Sequence, residues 1–149
     1  MSMTLCCTPG EIPPGYFLAD CAVSGGTLSD CLERFLRAAQ GKLCLRLAPV
    51  YMDFPLPCLC GTGISLTADA LSELYRGQSC HFSPALCTEY FSYIQDGQAH
   101  VVLFDSLQSL RRKYQTALSR GVPAILVEDP NLRRALESQE KSTPQMWGA

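Results

Sequence analysis

The chain is 149 residues long, 47% hydrophobic and 17% charged, with a net charge of -2. That length suits one ordinary domain, and that balance supports a packed core rather than disorder. The near-neutral charge gives no electrostatic footprint for nucleic acid or an acidic membrane, and no apolar run approaches a bilayer span.

In chain order, residues 1–15 are rich in Pro and Gly and read as a loose lead-in. The N-terminus has neither a basic region nor an apolar one of the secretory kind, so a cytoplasmic, reducing setting is the expectation. Tyr16–Val23 predicts a strand, broken by Ser24-Gly25-Gly26. A helix follows, capped by Thr27 or Ser29, with Leu28, Cys31, Leu32, Phe35, Leu36 and Ala39 at helical spacing and Gly41 as its stop. Lys42–Phe54 reads as one strand, with Leu43, Leu45 and Leu47 on one face and Cys44 and Arg46 on the other.

After the loop "PLPCLCGTG", a short helix runs from a Thr67 cap to a Gly77 stop. "EYFSYIQDGQAHVVLF" predicts a hairpin turning at Asp96-Gly97, a pair suited to the two positive φ values of a type I′ turn. The next helix starts at Asp105 or Ser106, carries Leu107, Leu110, Tyr114, Ala117 and Leu118 as its apolar stripe, and ends at Gly121. The run Arg111-Arg112-Lys113 is expected on its solvated side. "VPAILV" reads as a strand buried on both faces, and a last helix precedes a polar tail. The outer elements alternate as in a parallel α/β sheet, and the middle reads as an α+β excursion. The implied organisation is a lead-in 1–15, an outer α/β domain of 16–57 and 105–141, an inserted subdomain 58–104 and a tail 142–149.

Several of these segments, in this order, resemble glycoside hydrolase family 18. Lys42, Pro49, Tyr51 and Asp53-Phe54 resemble that family's sixth barrel strand. "ISLTADALSEL" resembles the helix of its insertion domain. Glu89 to Leu126 resembles its hairpin, a following helix with a Ser-Leu-x-x-Lys-like core (here Ser109-Leu110 and Lys113), and its eighth strand. The spore-germination, cell-wall-active branch is the nearest in character. The resemblance covers about residues 16–130 and implies a fold class of α/β type: a partial (β/α) TIM-barrel-like parallel sheet, about strands five to eight, with a small α+β insertion. A complete barrel of this type takes about 250 residues.

The departures bear on chemistry. The family's Asp-x-x-Asp-x-Asp-x-Glu signature has no counterpart, since no Asp here is followed two positions later by Asp or Glu. In that family the Glu protonates the glycosidic oxygen and the preceding Asp orients the substrate's N-acetyl group. Ile125 stands near the place of the family's Trp, and Met52 replaces a Gly. The resemblance therefore implies a chain that does not hydrolyse glycosides by itself, with chitin or peptidoglycan as the saccharide class and a spore or cell-wall association within its range.

Ligand sites in parallel α/β sheets sit at the C-terminal strand ends. Those ends carry Asp20, Tyr51, Asp53, Glu128 and Asp129 as candidate saccharide contacts; the competing reading is helix capping, for which Asp129 before Pro130-Asn131 is a natural start. Cys58, Cys60, Cys80 and Cys87 match no common zinc spacing. The nine cysteines read as reduced, structural thiols, and no cofactor or metal is expected. His100 is expected as a partly buried, hydrogen-bonded imidazole. "GTG" at 61–63 lacks the Lys-Ser/Thr of a phosphate loop. A rival reading is an interaction module, because half a barrel leaves two open strand edges; it predicts self-association or docking on a complementary N-terminal half.

Overall fold

The computed structural model describes residues 3–21, 26–58 and 63–140. Within these, nine strands and four α-helices form two sheets: a parallel one and an antiparallel one. The chain divides into two compact units.

The first unit comprises residues 1–21, 32–48 and 114–149. Its sheet holds β1 (Thr4–Cys6), β2 (Phe17–Asp20), β3 (Leu43–Arg46) and β9 (Ala124–Leu126), in the order β1-β9-β3-β2 and parallel throughout. β9 is flanked on both sides and all three of its residues are buried, as its wholly apolar composition predicts. β1 is a departure from expectation. It lies in the stretch read as a loose lead-in, yet it pairs residue for residue with β9, Thr4 with Ala124 and Cys6 with Leu126. Three residues without alternation give no strand signal; the open edge of β9 recruits them.

Alternation puts Cys6, Cys44, Ala124 and Leu126 on one face of this sheet. They form a buried cluster, and Ile12 and Tyr16 from the segment after β1 pack against it. In a closed barrel that face would meet side chains from the opposite strands. Here the chain's own lead-in covers it. The other face carries Leu43, Leu45 and Ile125, all fully buried.

The second unit comprises residues 22–31 and 49–113. Its antiparallel sheet has the order β5-β4-β8-β7-β6, built from β4 (Tyr51–Pro55), β5 (Ile64–Ser65), β6 (His81–Ser83), β7 (Thr88–Gln95) and β8 (Gln98–Phe104). The β7–β8 hairpin turns as expected: Asp96 and Gly97 both take positive φ, 52° and 76°, and Gln95 pairs with Gln98. Phe91, Val102 and Phe104 form the core of one sheet face, covered by Leu71 and Leu74 of α2 (Ala68–Tyr75). Thr67 caps that helix by accepting the Ala70 N–H at 3.1 Å.

The strand expected over Lys42–Phe54 is two strands. β3 ends at Arg46 in the parallel sheet, and β4 begins at Tyr51 in the antiparallel one. Pro49 explains the break, because it has no N–H to give a ladder and restricts Ala48 before it. The Val50 N–H then goes to the Asp105 carboxylate at 3.0 Å, and the Asp105 N–H to the Val50 carbonyl at 3.0 Å.

The helices follow the sequence closely. Thr27 caps α1 (Leu28–Ala38) through the Asp30 N–H. α1 ends with Gln40, not Gly41, as the first left-handed residue, φ 53°. The Gly41 N–H closes the end on the Leu36 carbonyl at 2.8 Å. α3 (Leu107–Ser119) opens with a reciprocal pair in which the Ser106 and Ser109 hydroxyls accept each other's N–H. Gly121 ends it. α4 is Pro130–Glu140. Ala22 and Val23 of the first predicted strand, Cys60 of the cysteine set and the tail 142–149 lie outside the described residues. Among the described residues, no helix is long and apolar enough to cross a membrane.

Candidate functional site

Polar side chains gather at the C-terminal ends of three neighbouring parallel strands in the first unit. Asp20 ends β2 and stands in register with Arg46, which ends β3. Registered partners in a parallel pair project to the same face, so the carboxylate and the guanidinium share one rim. Glu128 follows β9, and its carboxylate lies 3.4 Å from Arg46 Nε. This pair is partly open to solvent, with side chains 36% and 51% exposed, so it contributes little to stability. Arg46 Nε itself is buried and makes no well-aligned hydrogen bond. Asp129 caps α4 by accepting the Asn131 N–H at 2.9 Å, which is the capping role its position before Pro130 suggested.

Tyr51 and Asp53 belong to the antiparallel sheet. Both lie on β4 in the second unit, and both point to the core face of the antiparallel sheet. Tyr51 packs on the Phe91, Val102 and Phe104 cluster. Asp53 is the centre of a polar trio that the sequence did not reveal. The Tyr93 hydroxyl donates to its Oδ2 at 2.5 Å, and His100 Nδ1 lies 3.0 Å from its Oδ1. The Tyr93 and His100 rings stack, with centroids 4.5 Å apart and planes 14° apart. Register explains the meeting: His100 pairs with Tyr93 on one side and Pro55 on the other, which sets both rings beside Asp53. Burial, then the hydrogen bond to Asp53 and its negative charge, push the Tyr93 phenol up to about 12. His100 is the partly buried, hydrogen-bonded imidazole expected of it. Two hydrophobic-strand residues flanking a DG turn give no hint of this partnership, because only the β4–β8 register brings Asp53 within reach.

A second buried network contradicts the solvated basic face expected on α3. Lys113 is 1% exposed, and its Nζ donates to Asp105 Oδ2 at 2.9 Å. Ser109 Oγ donates to Asp105 Oδ1 at 2.7 Å, and the Val50 N–H reaches Oδ2. Both oxygens of the carboxylate are therefore satisfied. Asp105, Ser109 and Lys113 are spaced four apart, so they lie along one helix face, and that face turns inward. Arg111 and Arg112 remain more open, and Arg112 lies over the Phe82 ring at 5.6 Å.

Among the described residues, Cys6, Cys21, Cys31, Cys44 and Cys87 are buried like small hydrophobes, and Cys7, Cys58 and Cys80 are half-buried. Cys6 and Cys44 are fully buried, and the Cys6 thiol donates to the Glu11 carbonyl at 3.7 Å. Burial foremost, with the adjoining Cys6 thiol adding to it, raises Cys44 to about 11. Against an ordinary thiol, that lowers the reactive thiolate fraction at neutral pH by about 100-fold or more. Ellman's reagent should therefore leave Cys44 untouched in the native protein and modify it only in denaturant; rapid native labelling of Cys44, mapped by peptide mass, would contradict the buried placement. Among the described residues, no three His, Cys, Asp or Glu side chains are grouped to hold a metal ion.

Known proteins share this architecture. No family model matches the sequence, and no curated protein matches it. Solved structures do. A chitinase from Chromobacterium violaceum superposes with a TM-score of 0.60 at 19% identity, over 87% of this chain and 46% of that one. The spore cortex-lytic enzyme SleL of Bacillus cereus gives 0.53 at 17% identity, over 70% of this chain and 28% of that one. A class V chitinase from Nicotiana tobaccum, solved as an E115Q mutant with NAG4, gives 0.51 at 15% identity, over 74% and 38%. The fold is a partial, glycoside hydrolase family 18-like barrel. The chain spans less than half the length of each of these proteins. The family 18-like part consists of a parallel sheet of four strands that does not close, and a separate antiparallel sheet.

Proposed function

We propose that this chain is a non-catalytic saccharide-binding module that takes polymers of N-acetylglucosamine type, chitin or peptidoglycan, at the Asp20, Arg46 and Glu128 rim. The observation that carries the reading is the convergence of these three side chains at neighbouring parallel strand ends. Carboxylates there accept sugar hydroxyls, and the guanidinium donates to hydroxyl or acetamide oxygens. The likeness to chitinases and a cortex-lytic enzyme supports the substrate class. Asp129 orders this rim by starting α4. Hydrolysis does not follow, because the sequence supplies no counterpart to the acid of the Asp-x-x-Asp-x-Asp-x-Glu signature.

Titration with chitin oligomers, followed by heteronuclear NMR, tests this. Saturable shifts at Asp20, Arg46 and Glu128 are expected. Asp20→Ala combined with Glu128→Ala should weaken binding by at least about tenfold, since a hydrogen bond to a charged group is worth about 1.5–3 kcal/mol. No reducing ends should be released. If millimolar oligomer moves no resonance, the saccharide reading fails.

A further inference from the structure

We infer that the Asp20, Arg46 and Glu128 rim prefers an amino-sugar unit that has lost its acetyl group, with Asp20 holding the free ammonium; this rests on the saccharide reading above and names the unit taken. The charges at the strand ends carry it. β3 lies between β9 and β2, so Arg46 stands between two acids, with Glu128 after β9 on one side and Asp20 of β2 on the other. Its guanidinium goes to Glu128, whose carboxylate lies 3.4 Å from Nε. Those two charges offset each other, and the charge of Asp20 is left over.

Asp20 is exposed, and among the described residues it takes part in no ion pair and no side-chain hydrogen bond. The residues that follow it, Cys21-Ala22-Val23-Ser24-Gly25, bring no cation, so the surplus does not depend on where they lie. Asp129, next to Glu128, adds a negative charge of its own while it caps α4.

That surplus separates three kinds of sugar unit. An N-acetylated unit brings a neutral acetamide, which offers the carboxylate one N–H and no charge. An acidic unit would set its own carboxylate against Asp20, and like charges repel. A unit with a free amine brings an ammonium, with three donors and a full positive charge, and forms a charge-assisted hydrogen bond to Asp20. The Arg46 guanidinium opposes that ammonium, but Glu128 offsets it. The rim therefore favours the amine over the acetamide, and the acetamide over the acid.

Two soluble tetramers, one of N-acetylglucosamine and one of glucosamine, are titrated into the full chain and followed by heteronuclear NMR at about pH 6, where an aliphatic amine is protonated. The glucosamine tetramer should bind at least about threefold more tightly, the scale of a solvent-exposed ion pair. The gap should narrow at an ionic strength of about 1 M, where the Debye length falls to about 3 Å. Asp20→Asn, which keeps the shape of the side chain and removes its charge, should bring the two ligands level. Equal binding of the two tetramers by the wild type, or tighter binding of the acetylated one, overturns the preference and leaves the saccharide site standing. A preference that survives Asp20→Asn takes the ammonium away from Asp20 and overturns the assignment as well. If neither tetramer moves a resonance, the saccharide reading itself fails and the preference falls with it.

Discussion

Lys113→Ala should destabilise the protein by about 3–5 kcal/mol, the usual cost of removing one partner from a buried ion pair. Lys113 is 1% exposed, and its ammonium is the charged partner of the equally buried Asp105 carboxylate. Without it, the carboxylate keeps its bonds from Ser109 and Val50 but loses its countercharge. Against a typical domain stability of about 5–15 kcal/mol, this loss is large. The double variant Lys113→Met with Asp105→Asn should recover much of it, since no buried charge is left unpaired. Urea unfolding followed by circular dichroism measures both. A Lys113→Ala protein within about 0.5 kcal/mol of wild type, the range of ordinary surface substitutions, would show that Lys113 is solvated after all.

Asp53→Ala comes second. It strips the acceptor from the Tyr93 hydroxyl and from His100 Nδ1 together. Hydrogen bonds to charged groups are worth about 1.5–3 kcal/mol each, and about 3 kcal/mol in total is expected after partial rehydration. Tyr93→Phe should cost about half as much. A pH effect accompanies it. The Tyr93 phenol titrates at about 12 in the folded chain, against about 10 when unfolded. The unfolded state therefore loses this proton first. The stabilisation is complete below about pH 10 and disappears as pH rises toward 12. Spectrophotometric titration of wild type should show a late phenolate step that Tyr93→Phe removes. An identical titration curve for the two proteins would dissociate Tyr93 from Asp53.

Some elements of this chain obey local rules and others do not. Asp96-Gly97 announces its turn because positive φ at both positions is a local demand. Thr67, Thr27 and Gly121 mark helix ends for equally local reasons. The neighbours of Lys113 mislead, because three consecutive basic residues look like a solvated patch while Lys113 itself is buried. The Ser-Leu-x-x-Lys-like core of the resembled family held the hint, since it singles out Ser109 and Lys113 at helical spacing from Asp105. Arg46 was assigned to the correct face of its strand but not to the rim, because its meeting with Glu128 depends on β3 lying next to β9.

By itself the sequence determined the helices, the hairpin, the fully buried strand and the absence of the catalytic acid signature, all of which depend on contacts or identities a few residues apart. Tertiary structure alone decided that Thr4–Cys6 joins the sheet beside Ala124–Leu126, that Lys42–Phe54 divides between two sheets, and that Asp53, Tyr93 and His100 share one hydrogen-bonded cluster. Those outcomes pair residues about 40 to 120 positions apart. Such pairings are chosen by which edges and buried charges need partners once the chain has collapsed, and no local spacing encodes that need.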